Sequence, residues 1–199
     1  MPTLSPSFFE SDIFFIDEKV RFFKFHNHYN VYDRNGIAIG AVVQRVSGWH
    51  KFLRLFLKKA LFPFLLEVKD KDEKVLASIH RGWTLWISKM TIKGPEGQTT
   101  GYIKQKFRFF KPKFRVFDEL NNEIGQITGD WKAWNFSIKD NYENEIGTIT
   151  KKWAGVAKEL FTTADKYLVS INPSYADDLH KTNMRVSAIT IDMVLKESR

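Results

Sequence analysis

One phrase recurs along this chain: an alternating strand, a turn rich in Asp, Asn and Gly, and a second strand that opens with Ile-Gly. It reads HYNVYDRNGIAIGAVV from His28, FRVFDELNNEIGQIT from Phe114 and FSIKDNYENEIGTIT from Phe136, with looser versions LLEVKDKDEKVLASI from Leu65 and SKMTIKGPEGQTTGYI from Ser88. Such self-similarity constrains architecture more than any single residue, because each copy is a unit that cannot bury its apolar face alone. The expected fold is therefore a series of β-hairpins.

Turn chemistry supports that expectation. Asp33, Asp118 and Asp140 end the first strand of their copies and can bond nearby backbone, while Asn35-Gly36, Asn121-Asn122 and Asn141 tolerate left-handed backbone. Period-two alternation sets Tyr29 and Val31 against Asn30 and Tyr32, and Phe114 and Val116 against Arg115 and Phe117, so that one face can be buried. Gly40, Gly125 and Gly147 fall at the same place in their copies. A bend, a bulge or a close backbone approach is the expected reason, since none belongs to a phosphate-cradling motif.

With 199 residues, 43% of them hydrophobic, the chain can bury a substantial core. Many short strands at close spacing favour one all-β sandwich or barrel, expected here over residues 12–199, after a loose tail at residues 1–11. Cysteine is absent, which excludes disulfides, thiolate metal sites, cysteine nucleophiles and a palmitoyl anchor. The first residues lack a basic n-region and are broken by Glu10, Asp12 and Asp17, unlike a signal peptide. Asp192 interrupts the longest apolar tract, which falls short of the roughly 20 residues a spanning helix needs. A cytoplasmic protein, peripheral to the inner face of a membrane, is expected.

Charge points to partners. The net charge is +8, yet residues 42–62 hold Arg45, Lys51, Arg54, Lys58 and Lys59 without an acid, and residues 102–115 hold Lys104, Lys106, Arg108, Lys111, Lys113 and Arg115 without one. The rest of the chain is net acidic, so the positive field is concentrated and would draw the protein to an anionic surface. From Ser47 to Phe64 the hairpin rhythm stops and a helical one begins, with Ser47 as cap and Pro63 as stop. Trp49, Phe52, Leu53, Phe56, Leu57 and Ala60 share one side of that helix; Lys51, Arg54, Lys58 and Lys59 gather on the other. That pattern suits a helix lying in a lipid headgroup layer, and equally one whose apolar face closes a barrel end. The second segment interleaves bases with Phe107, Phe109, Phe110 and Phe114, a mixture also found on single-strand nucleic-acid platforms, but no nucleic-acid motif accompanies it. The ordinary reading of such a strand is a solvated basic face.

No nucleophile elbow, P-loop, zinc-protease helix or dinucleotide fingerprint is present, so no enzyme activity is expected. His26 and His28 could share a strand face, but no third ligand stands beside them, and His50, His80 and His180 stand alone.

The stretch EIGTITKKWAGVAKELFTTADKYLVSI, from Glu145 to Ile171, resembles the C-terminal core of phospholipid scramblases and their bacterial relatives. There an Ile-Gly-x-Ile strand precedes Lys-x-Trp-x-Gly and Glu-x-Phe-Thr-Asp-Ala-Asp; here the matching residues are Ile146, Gly147, Ile149, Lys151 or Lys152, Trp153, Gly155, Glu159, Phe161, Thr162, Ala164 and Asp165. Tyr29-x-Val31-Tyr32-Asp33, Asp130-Trp131-x-Ala133-Trp134 and the run from Ala188 to Leu195 extend the likeness over about residues 13–197. The resemblance implies a Tubby-like fold, shared with LURP-one-related proteins: a closed antiparallel barrel of about twelve strands around a hydrophobic C-terminal helix. By alternation alone Val186–Leu195 would read as a strand. A helix surrounded by protein is the reading adopted, with Asp192 requiring a hydrogen-bond partner inside.

The resemblance further implies acidic phospholipid as partner and transbilayer lipid movement as activity. Trp49, Lys51, Phe52, Arg54, Phe56, Lys58 and Lys59 are the expected contacts, and the basic strand a second one. An interaction or scaffold barrel is the alternative, and nucleic-acid binding a third. No cofactor is expected. In animal relatives calcium activates, through a segment whose first carboxylate is here Thr163; only Asp165 remains, which argues against calcium.

Overall fold

The computed structural model describes residues 6–18, 28–45, 63–83, 88–106, 112–130, 132–151, 166–175 and 178–197. Five hairpins share one plan: β2 (His28–Tyr32) with β3 (Ala38–Arg45), β4 (Phe64–Asp70) with β5 (Val75–Arg81), β6 (Ser88–Lys93) with β7 (Thr99–Lys106), β8 (Lys113–Asp118) with β9 (Glu123–Asp130), and β10 (Asn135–Asp140) with β11 (Glu145–Thr150). Inside the hydrogen-bonded closing pairs Asp33–Ile37, Asp70–Lys74, Gly94–Gln98, Asp118–Asn122 and Asp140–Asn144 each loop has three residues, the last at positive φ: Gly36, Glu73, Gly97, Asn121 or Glu143. This is a type I turn followed by a left-handed residue. In four loops the opening Asp directs Oδ1 at backbone N–H groups across the turn, as Asp140 accepts from Tyr142 at 2.8 Å and Asn144 at 2.9 Å. In the β6–β7 loop Gly94 replaces the Asp, and Gln98 Oε1 accepts from the Glu96 N–H at 3.1 Å. The left-handed position in the last copy is Glu143, not Asn141, because the geometry places it at the third loop residue whatever the residue's preference.

The Ile-Gly phrase is a β-bulge. In each second strand one residue has no partner across the ladder: Ile39, Leu76, Thr100, Ile124 and Ile146. Leu76, Ile124 and Ile146 are buried in the core. The next residue is Gly in four copies, and a Cβ on Gly125 would stand 2.4 Å from the Lys139 carbonyl oxygen. Only a residue without a side chain lets the neighbouring backbone come that close.

β1 (Ile13–Glu18) pairs with β2 on one side and β12 (Lys166–Ile171) on the other, closing twelve antiparallel strands into a barrel in sequence order. A barrel of this size leaves an interior that must be filled. α2 (Asp178–Ile189) and α3 (Ile191–Glu197) fill it, and bonds from Thr190 N to Val186 O and from Val194 N to Thr190 O carry the ladder past Thr190. Every residue from Asn183 to Leu195 is buried. The strand-like alternation of this run loses to a simple requirement: an element enclosed on all sides must satisfy its own backbone groups, which a helix does and a lone strand cannot. Ser187 and Thr190 hydroxyls bond back to Asn183 and Val186 carbonyls, so their polarity is also absorbed.

Preceding β1 is α1 (Pro6–Phe9). Within the segment expected to be a loose tail, Phe8 and Phe9 are packed into the core. The Phe8 ring lies 5.7 Å from that of Phe14, and buried Arg185 donates to the Phe9 carbonyl and, at 2.9 Å, to Asp12. Two adjacent phenylalanines supply enough apolar area to hold so short a segment in place.

The wall is apolar inside and charged outside, with Glu67, Lys89, Lys104, Arg115 and Lys139 on outward positions. Barrels that cross membranes have the inverse arrangement. Among the described residues no helix is long and apolar enough to cross a membrane. Antiparallel order puts the five tight turns at one end of the barrel and the remaining strand-to-strand connections at the other.

Candidate functional site

Outward residues of neighbouring strands meet in register. Across β6 to β10 one row runs Lys89, Lys104, Arg115, Gln126, Lys139, each directly opposite the next. Like charges placed face to face on a sheet repel, so a row of this kind needs compensation. Part of it comes from rings: the Lys89 ammonium lies 3.9 Å from the Tyr102 ring centre, and Lys104 lies 3.9 Å and Arg115 5.2 Å from that of Phe117. Phe117 points outward yet is only 5% exposed, because those two bases cover it.

Carboxylates supply the rest unevenly. Arg115 forms a close pair with Glu123, whose hydrogen bond holds the guanidinium above its ordinary pKa, and Lys139 meets Glu143 at 3.2 Å. Lys104 instead donates to the Asn121 amide oxygen at 2.8 Å. Neither Lys89 nor Lys104 has a carboxylate partner among the described residues. Exposed pairs are worth about 0–1 kcal/mol, so the row keeps its positive field in water.

The next register step pairs Lys106 with Lys113, followed by Thr128. These residues stand at the end opposite the tight turns. At that end too the Lys151 ammonium lies 4.4 Å over the Trp134 ring, which packs 5.5 Å from Tyr167.

Of the residues expected to form a site, Lys104, Lys106, Lys113 and Arg115 fall on the described strands, Lys104 and Arg115 cross-strand neighbours as are Lys106 and Lys113. Arg108 and Lys111 lie outside the described residues, as do Trp49, Lys51, Phe52, Arg54, Phe56, Lys58 and Lys59, and Thr163 with Asp165. His26 also lies outside them, while His28 meets the Asn30 side chain at 3.0 Å. Sequence reasoning missed Lys89 and Lys139. Each is isolated among other residue types along the chain and joins the row only through register, which the bulges shift by one position per hairpin.

Residues 17–197 match the family model described as Scramblase. A crystal structure of a protein from Arabidopsis thaliana superposes with a TM-score of 0.57 at 9% sequence identity, covering 93% of this chain and 93% of that one. At that identity the likeness bears on the fold alone. A comparison with curated proteins finds no match.

Proposed function

The chain belongs to the scramblase family, and from that membership we propose that it binds the anionic headgroups of acidic phospholipids as a peripheral protein. The observation that carries this reading is the row Lys89, Lys104, Arg115, Lys139 on the barrel wall. A base near an anionic leaflet contributes on the order of 1 kcal/mol, and several on one face act together. The connections that contain Trp49 to Lys59 and Arg108 to Lys111 leave from strand ends at the same end of the barrel as Lys106 and Lys113, so their bases would extend the same field. The reading includes no bond-making step and no calcium. Transbilayer lipid movement enters it as a consequence of surface binding, since the barrel interior is filled by α2 and α3.

Sedimentation with vesicles of increasing phosphatidylserine content tests the binding. Affinity should rise with anionic lipid, fall with salt, and drop several-fold in Lys89→Gln with Lys104→Gln; binding indifferent to both lipid charge and salt overturns the reading. A vesicle assay with a dithionite-quenched headgroup probe then separates lipid movement from adsorption. A second reading, an interaction barrel, draws on Ile37, Leu120 and Tyr142, exposed at the tight-turn tips. Retention of a protein partner by a variant carrying Ser at all three positions would argue against it.

A further inference from the structure

Every tryptophan of the chain belongs to a connection at one end of the barrel. Trp49, Trp83, Trp86, Trp131, Trp134 and Trp153 all fall within the six strand-to-strand connections opposite the tight turns, at residues 19–27, 46–63, 82–87, 107–112, 131–134 and 151–165. Strands, tight turns and plug hold none. Each connection leaves one strand and joins the next at the same end. Trp83, Trp86, Trp131 and Trp134 lie in connections of six and four residues, too short to carry them far from it. Trp83 is 61% exposed, and the half-buried Trp134 ring packs 5.5 Å from Tyr167 with the Lys151 ammonium 4.4 Å over it.

Charge follows the same axis. The six connections hold thirteen bases and two acids, net +11, whereas the five tight turns, counted with their closing pairs, hold three bases and nine acids, net −6. The barrel is polarised along its length. A molecule so charged meets an anionic surface with its basic end first. Bases attract acidic headgroups, and the indole, an apolar ring with one N–H donor, suits the level at which headgroups meet hydrocarbon. Single-stranded nucleic acid would also use bases and rings, but family membership favours lipid. Taken alone, the basic row on the wall would lay the barrel on its side; the tryptophans and the axial charge stand it on end. Leu120 and Tyr142, exposed at the far tips, do not compete, because the acids around them repel an anionic leaflet.

We propose, resting on the lipid-binding reading, that the connection end enters the headgroup layer of an anionic membrane, its indoles at the hydrocarbon boundary and the tight turns facing away from the bilayer. The reading of lipid binding leaves the orientation open; the distribution of tryptophan and charge assigns it.

Intrinsic tryptophan emission reports on this end alone, and the absence of cysteine allows a dye to be attached in Tyr142→Cys, at an exposed tip of the other end. Vesicles of phosphatidylcholine and phosphatidylserine should blue-shift the tryptophan emission, and bromine on the phosphatidylcholine chains should quench it. The dye should keep its spectrum and intensity. Trp83→Ala should weaken sedimentation with these vesicles several-fold, and Leu120→Ser with Tyr142→Ser should leave it unchanged. Sedimentation with unaltered tryptophan emission, or quenching of the dye in place of the indoles, overturns the end-on contact and leaves the lipid reading standing. Absence of sedimentation overturns both. Stronger quenching by a single-stranded oligothymidylate than by the vesicles assigns this end to nucleic acid and overturns the proposal.

Discussion

The Tyr29 hydroxyl donates to Asp192 Oδ2 across 2.6 Å, joining the first hairpin to a helix 163 residues further along the chain. Asp192 is 4% exposed inside a largely apolar plug and also meets Lys196 at 2.9 Å, one helical turn on. Lys196 in turn donates to the Tyr29 oxygen at 3.0 Å, so the three groups close a triangle. A carboxylate in such a place is tolerable only when its partners are fixed. The contact therefore sets the depth at which the helix sits. Tyr29→Phe removes one donor and leaves the carboxylate short of a bond, for an expected loss of about 1–3 kcal/mol in urea unfolding. A double-mutant cycle with Asp192→Asn should return a coupling well above zero; additivity would mean that the triangle contributes nothing as a unit.

A bulge glycine should be far less replaceable than Gly82, which has neither a close neighbour nor a left-handed backbone. A Cβ at Gly125 would stand 2.4 Å from the Lys139 carbonyl oxygen and 3.0 Å from Met184 Cε, between two pieces of structure that cannot both yield. Gly82 has nothing within 4 Å and no constrained φ. Gly125→Ala should cost about 1–3 kcal/mol as an overpacked site, and Gly82→Ala should leave the thermal midpoint within a degree or two.

That contrast also indicates what the sequence carried. The hairpin plan was legible because four of the five copies use an Asp to satisfy the turn and four use a glycine to admit the neighbouring strand, so physical necessity repeats as text. The plug was not legible from its residues, since Ser187, Ile189, Ile191, Met193 and Leu195 alternate in a stretch rich in β-branched residues, a pattern that a strand would share. Its helical state follows from enclosure, a property of the closed barrel and not of the segment, and came into view through the family resemblance. The basic row was half legible: Lys104 and Arg115 share one dense run, whereas Lys89 and Lys139 reach it by pairing. The docked Phe8 and Phe9 were missed because two apolar residues in a short polar context give no periodicity to read.

Acid should loosen the hairpins in a defined window. At Asp118 and Asp140 burial works to raise each carboxyl, but hydrogen bonds from the Asn122 and Asn144 side chains and backbone outweigh it and hold both below the ordinary value. A folded value below the unfolded one gives stability that is full above roughly pH 4 and is lost as pH falls through the folded value. His80 adds a loss of the same direction higher up: burial and the nearby Lys93 lower its pKa, so the unfolded chain takes the proton first as pH drops below about 6.5. Thermal midpoints measured from pH 7 to pH 2.5 should fall in two steps. Asp118→Asn with Asp140→Asn should flatten the lower step and reduce stability at pH 7; an unchanged lower step would assign it to other carboxylates.

Glu73 offers the opposite test, a position where the native residue is the wrong one for its backbone. Its φ is 62° in a loop place that Gly36, Gly97 and Asn121 fill elsewhere, and a side chain with a Cβ costs roughly 1–2 kcal/mol in that conformation. What Glu73 returns is an exposed contact, its carboxylate 3.0 Å from Lys69 and its pKa lowered by that hydrogen bond. A pair made by so exposed a carboxylate returns less than the strain costs. Glu73→Asn keeps a polar side chain that tolerates left-handed backbone and removes the strain together with the ion pair. The variant should unfold at higher urea than the parent, by up to about 1 kcal/mol, with an unchanged urea dependence. A less stable variant would mean that Lys69, buried between Glu67 and Glu73, draws more from the pair than exposed geometry predicts.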